Sequence, residues 1–162
     1  MKPLASLAAL FLCFHVVSAQ VAEPNKYAPP APTASGVIGY WSTDAGSILH
    51  IAPCTTGVCI KIMTISQKAP GVVDGNNPDE SLRTRPVCKM DIGTGFQLKD
   101  DDHAQGGRIY DPETGKTYKS VLISDGNTLS VRGYIGFKAL GRTQAWKRTT
   151  AKYATCVGTT HR

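Results

Sequence analysis

The chain has 162 residues, 41% of them hydrophobic and 19% charged, with a formal net charge of +6. That length accommodates one ordinary domain beside a targeting segment, and no second domain is needed to account for it. Lys and Arg are scattered and build no polybasic run, so the charge reads first as solubility and no nucleic-acid partner is expected.

Lys2 supplies a positive start, Leu4 to Val17 an apolar run, and Val17-Ser18-Ala19 a small-x-small cleavage site. This is signal-peptide spacing, and cleavage is expected after Ala19. The apolar run is shorter than the roughly 20 residues needed to span a bilayer, and no charge cluster follows it, so no transmembrane segment is expected after cleavage. Cys13 follows Leu12 inside the apolar run instead of a small residue, so it leaves with the signal. Residues 20–35 carry Pro24, Pro29, Pro30 and Pro32 among small and polar residues and read as a flexible leader. A periplasmic or secreted location follows.

From residue 36 to residue 150 short β-rich runs alternate with turn residues, and no segment shows helical periodicity. The expected strands are Val37 to Ser42, Ile48 to Ala52, Val58 to Ile65, Val87 to Ile92, Arg108 to Tyr110, Thr117 to Ser124, Thr128 to Tyr134 and Arg142 to Thr149. Asp44-Ala45-Gly46, Thr56-Gly57, Asp111-Pro112-Glu113-Thr114-Gly115 and Asp125-Gly126-Asn127 supply hairpin turns. One helical turn is predicted at Asn77-Pro78-Asp79-Glu80-Ser81-Leu82, with Asn77 as cap and Pro86 as a stop. Residues 151–162 read as a tail. The fold class is all-β: a small antiparallel, closed up-and-down barrel of about eight strands, with a sandwich as the alternative.

After cleavage Cys54, Cys59, Cys88 and Cys156 remain, an even number in an oxidising compartment. Cys54 and Cys59 flank a hairpin turn, which favours pairing them and leaves Cys88 for Cys156. Four buried free thiols are the alternative, because a chain this long can build a core without staples.

Six motifs carry a resemblance: Asp74-Gly75-Asn76-Asn77-Pro78-Asp79, Arg83-Thr84-Arg85-Pro86, Gly106-Gly107-Arg108-Ile109-Tyr110-Asp111-Pro112, Gly115-Lys116-Thr117-Tyr118, Arg132-Gly133-Tyr134 and Gly141-Arg142-Thr143-Gln144-Ala145-Trp146-Lys147-Arg148. In this order, from about Gly39 to Arg148, they resemble the bacterial family termed domain of unknown function 2147. The resemblance implies a small exported domain of Gram-negative bacteria with a lipocalin-like barrel, and it implies no established activity. Ile60 and Lys89 depart from it, since each follows a cysteine where the family's pattern has glycine. Gly39-Tyr40-Trp41 is similar to the G-x-W that opens lipocalin strands, in which the Trp closes one barrel end beneath an Arg. Arg148 is the matching candidate, and since Trp146 shares its strand face, a guanidinium stacked between Trp41 and Trp146 is expected.

No catalytic constellation emerges. There is no G-x-S-x-G around a serine, and the cysteines are committed to disulfides. Asp100-Asp101-Asp102-His103 would point its groups in different directions along an extended loop, and Asp74 to Asp79 lacks the spacing of a calcium loop, so no metal and no cofactor are expected. Candidate ligand-binding residues are Arg83, Arg85, Tyr110, Asp111, Lys116, Tyr118 and Arg132, charged or phenolic groups near strand ends that could ring a barrel mouth. The expected function is non-catalytic binding of a small amphipathic or lipidic molecule in the cell envelope. The alternative is an envelope interaction module holding a protein or anionic polysaccharide through basic loops.

Overall fold

The computed structural model describes residues 36–66, 72–151 and Cys156. The signal peptide, the leader and all of the tail except Ala151 and Cys156 lie outside the described residues.

Period-two burial organises the strands. In Gly57–Thr64 the side chains of Val58, Ile60 and Ile62 are buried and those between them are less so, as expected where one face meets a core and the other meets water. The strands are β1 (Gly39–Ser42), β2 (Ile48–Cys54), β3 (Gly57–Thr64), β4 (Asp91–Asp100), β5 (His103–Asp111), β6 (Lys116–Ser124), β7 (Thr128–Tyr134) and β8 (Arg142–Thr149). Each pairs antiparallel with the next, and β1 pairs with β8 through Trp41 opposite Arg148, so the sheet closes into an up-and-down barrel. Closure leaves no edge strand among the described residues. Disulfides join Cys54 to Cys59 across the β2–β3 hairpin and Cys88 to Cys156, with Cα separations of 5.8 and 6.0 Å.

The structure corrects four sequence expectations. The strand expected at Val87 to Ile92 begins at Asp91 and runs to Asp100, and the one expected at Arg108 to Tyr110 begins at His103. Two of the glycines in these strands make room for large side chains. A Cβ on Gly93 would collide with Ile60, and one on Gly107 with the ring of Phe96. Asp100 to His103 is therefore a tight hairpin turn at Asp101 and Asp102 and not an extended loop; Asp100 accepts from the Asp102 amide at 3.0 Å and meets His103 Nδ1 at 2.9 Å. The helical turn is a 3-10 turn over Glu80–Leu82 capped by Asp79, while Asn77 accepts from the Asp79 amide. A second 3-10 turn spans Lys138–Leu140.

Strand direction assigns the loops to two ends. Residues 36–38 and the turns at 55–56, 101–102 and 125–127 gather at one end. The turns at 43–47, 112–115 and 135–141 gather at the other with the long β3–β4 connection. Within that connection Lys89 is the only non-glycine among the described residues with a positive φ, 64°. This left-handed conformation favours glycine, the residue that the resemblance places there.

Candidate functional site

At the first end the barrel is filled. Trp41, Ile51, Ile60, Phe96, Leu122 and Leu129 are completely buried and pack into one cluster. The Trp41 indole donates to the Val37 carbonyl at 2.9 Å. The Arg148 guanidinium lies 4.1 Å from the Trp41 ring and donates to the carbonyls of Gly36, Ile38 and Gly126. Burial lowers its pKa, with Asp102 acting in the opposite direction. Gly39 belongs to the same plug: its φ is +132°, and a Cβ would come within 2.8 Å of the Arg148 guanidinium. The stack expected between two tryptophans is thus a stack on Trp41. Trp146 points to another level of the barrel and donates to Gln144 at 3.0 Å, because the three carbonyls draw Arg148 toward the floor.

At the other end the barrel is hollow. A cavity of about 990 Å³ opens among the loops, and Leu49, Ile62, Ile92, Ile109, Val131 and Trp146 supply much of its apolar lining. Polar groups share the lining: Asp44, Tyr110, Tyr134 and Arg142 lie at the turns and strand ends of this end, and Tyr118 and Gln144 lie at the level of Ile109 and Val131. Even-numbered residues of β8 face inward, which brings Arg142 and Gln144 to the same wall as Trp146.

A buried carboxylate braces this rim. The Asp74 side chain is wholly buried and accepts from Tyr110 Oη at 2.5 Å, Asn77 Nδ2 at 2.6 Å and Arg85 Nε at 2.9 Å, and it is ion-paired with Arg85 Nη2 at 2.8 Å. Burial alone would raise its pKa, but the bonds from Tyr110, Asn77 and Arg85 outweigh it and hold the carboxyl below its ordinary value. Burial and the adjoining carboxylate push the Tyr110 phenol up to about 12. The network fastens the β3–β4 connection to β5. Asn76 extends the attachment by donating to the Glu113 carbonyl at 2.8 Å.

The structure places the seven candidate residues unequally. Tyr110, Asp111 and Tyr118 line the cavity, whereas Arg83, Arg85, Lys116 and Arg132 are not among its lining residues. Arg85 holds Asp74, and Arg83 donates to the Asn77 carbonyl at 2.9 Å and to Glu80 at 3.0 Å. Arg132 supports the β7–β8 loop through the Lys138 and Ala139 carbonyls and Thr143. Asp111 lines the mouth while closing its own turn, accepting from the Glu113 amide at 3.0 Å and the Thr114 hydroxyl at 2.7 Å. Arg142, Gln144 and Tyr134 were missed as candidates, although period-two alternation from Trp146 carries the signal for the first two.

The comparisons agree with this geometry. No curated protein gives a significant match. The solved structure of protein HP1028 from the human pathogen Helicobacter pylori, described as belonging to the lipocalin family, superposes with a TM-score of 0.64 at 20% identity, covering 73% of this chain and 86% of that one. The chain is therefore lipocalin-like in fold. The motifs that brace the rim and line β8 lie inside a match over residues 39–148 to the model of an uncharacterized protein family conserved in bacteria, DUF2147, and the chain belongs to that family.

Proposed function

We propose that the protein is an exported, non-catalytic barrel that takes up a small amphipathic molecule, with the apolar part in the hollow half and the polar head at the mouth. The observation that carries this reading is the cavity itself: its volume is that of a small-ligand site, its lining is rich in aliphatic and aromatic side chains, and several polar groups stand at its open end. Arg142, at the mouth and without an ion-pair partner among the described residues, suits an anionic head such as a carboxylate or phosphate. The two disulfides support export, since such bonds persist in oxidising compartments. The alternative of an interaction module working through basic loops has less support, since the guanidiniums of Arg83 and Arg85 are both engaged within the β3–β4 connection.

Protein purified gently from its host should carry a small molecule that native mass spectrometry detects and denaturation releases. Stripped protein should melt lower and recover when palmitate or a lysophospholipid is added, because a ligand that binds only the folded state stabilises it. Val131→Trp, which fills the cavity from its wall, should keep the barrel's circular dichroism and lose that recovery. An apo mass with no thermal response to either probe would overturn the reading.

A further inference from the structure

Among the described residues the large apolar side chains exposed to water are Val72, Val73, Leu98, Ile123, Ile135, Phe137 and Leu140. Five of these seven belong to the open end, and the three most exposed, Ile135 at 64%, Phe137 at 79% and Leu140 at 80%, occupy the single loop between β7 and β8. That loop is built and not merely left over. Arg132 donates to the Lys138 carbonyl at 3.0 and 3.2 Å and to the Ala139 carbonyl at 3.2 Å, and residues 138–140 form a 3-10 turn. A braced backbone that presents its apolar side chains outward is the arrangement expected of a contact surface.

The charge around the loop identifies the partner. No Asp or Glu occurs in the sequence after Asp125, while Lys138 and Arg142 stand in and beside the loop, Arg132 braces it, and Lys116 and Lys119 lie on the adjoining strand β6. Lys116, Lys119, Lys138 and Arg142 enter no ion pair among the described residues. The carboxylates of the mouth, Asp44, Asp111 and Glu113, stand on or beside the two neighbouring turns, β1–β2 and β5–β6, while the loop and its junction with β8 carry Lys138 and Arg142 and no acid. Apolar side chains flanked by unpaired cations match a surface whose outer layer is anionic and whose interior is hydrocarbon.

We propose that the open end of the barrel docks on anionic bilayers through the 135–141 loop, with Phe137 inserting among acyl chains and Lys138 and Arg142 at headgroup level. The inference goes beyond ligand uptake and does not depend on it. Ile135 and Leu140 also line the cavity, so docking would set the cavity mouth against the membrane.

The test uses the protein as recovered from its host and vesicles of phosphatidylcholine with or without phosphatidylglycerol. Co-sedimentation should require phosphatidylglycerol and weaken as salt is raised. The double variant Phe137→Ala with Lys138→Gln should bind about tenfold more weakly, since it removes one inserting side chain and one headgroup contact. Neither residue lines the cavity, so the palmitate response should be unchanged, which separates this proposal from the ligand reading. In the Phe137→Trp variant the added indole fluorescence should shift to the blue on docking and be quenched by brominated acyl chains. Equal binding by the double variant, or an added indole signal indifferent to vesicles, would overturn the proposal and leave the contact to another part of the chain. A dimer that dissociates on Phe137→Ala, with no vesicle binding, would overturn it in favour of a second copy.

Discussion

Two arginines lock the two ends of this barrel by different chemistry. Among the described residues Arg148 has no carboxylate in hydrogen-bond contact; it rests on the face of Trp41 and donates to three backbone carbonyls. Arg85 holds the wholly buried Asp74, which also accepts from Tyr110 and Asn77. The first arrangement completes a core, since the side chains around Trp41 are fully buried. The second braces a wall while the interior beside it stays open. Rigidity and filling are therefore separate properties here: the mouth is held by polar bonds in its loops, which leaves the space between the strands available.

The contrast is sharpest in the tryptophans. Trp41→Ala should cost about 3–5 kcal/mol as the loss of a fully enclosed aromatic. Trp146→Ala should cost less, about 2 kcal/mol, because part of its surface already faces a void. Arg148→Ala combined with Trp41→Ala should be less damaging than the sum, as expected of residues in contact. Urea denaturation of the variants measures all three, and equal costs for the two tryptophans would erase the distinction between a filled and a hollow half.

The disulfides divide the same way. Cys54–Cys59 spans 5 residues at the closed end, whereas Cys88–Cys156 spans 68 and ties the β3–β4 connection to the chain beyond β8. If loop entropy dominates, replacing the long bridge by serines should cost about 4 kcal/mol and the short one about 2 kcal/mol. Thermal melts of the two double-serine variants decide it, and a reversed order would mean that native-state effects outweigh the entropy of the open chain.

The smallest effect is a pH dependence confined to the open end. Tyr110 titrates near 12 in the fold against an ordinary value of 10.0, so its contribution is complete below pH 10 and is lost as pH rises toward 12. The loss should be on the order of 2 kcal/mol and absent in Tyr110→Phe. At the acid side Asp74 has a lowered pKa, so its stabilisation is present above the ordinary carboxylate range and disappears as pH falls through the folded-state value. Stability measured in denaturant across both limbs, with Asp74→Asn as the second control, separates the rim from the plug.

Much of the fold was legible because its signals are local. Val58, Ile60 and Ile62 announce a strand by alternation, and Thr56-Gly57 announces the turn before it. The β4 and β5 strands were the exception, since the space that Gly93 leaves for Ile60 and Gly107 for Phe96 exists only once distant strands are neighbours. The site was less legible. Arg83 and Arg85 looked like free cations because sequence does not show the carboxylates that meet them. The cations at the β7–β8 loop escaped a search for runs of Lys and Arg because Lys138 and Arg142 become neighbours of Lys116 and Lys119 only through strand pairing.

Periodicity, turn residues and the even cysteine count determined by themselves that the chain is an antiparallel β domain of about eight strands with two staples, because each acts over a few neighbouring residues. The family resemblance added the lipocalin-like character of the barrel and the pairing of Trp41 with Arg148. Tertiary structure alone decided which half of the barrel is full, which polar side chains reach the mouth, and which apolar ones are left outside. Alternation tells which face of the sheet a residue occupies, but its level along the axis and the group opposite it are set by register and closure between strands far apart in the chain.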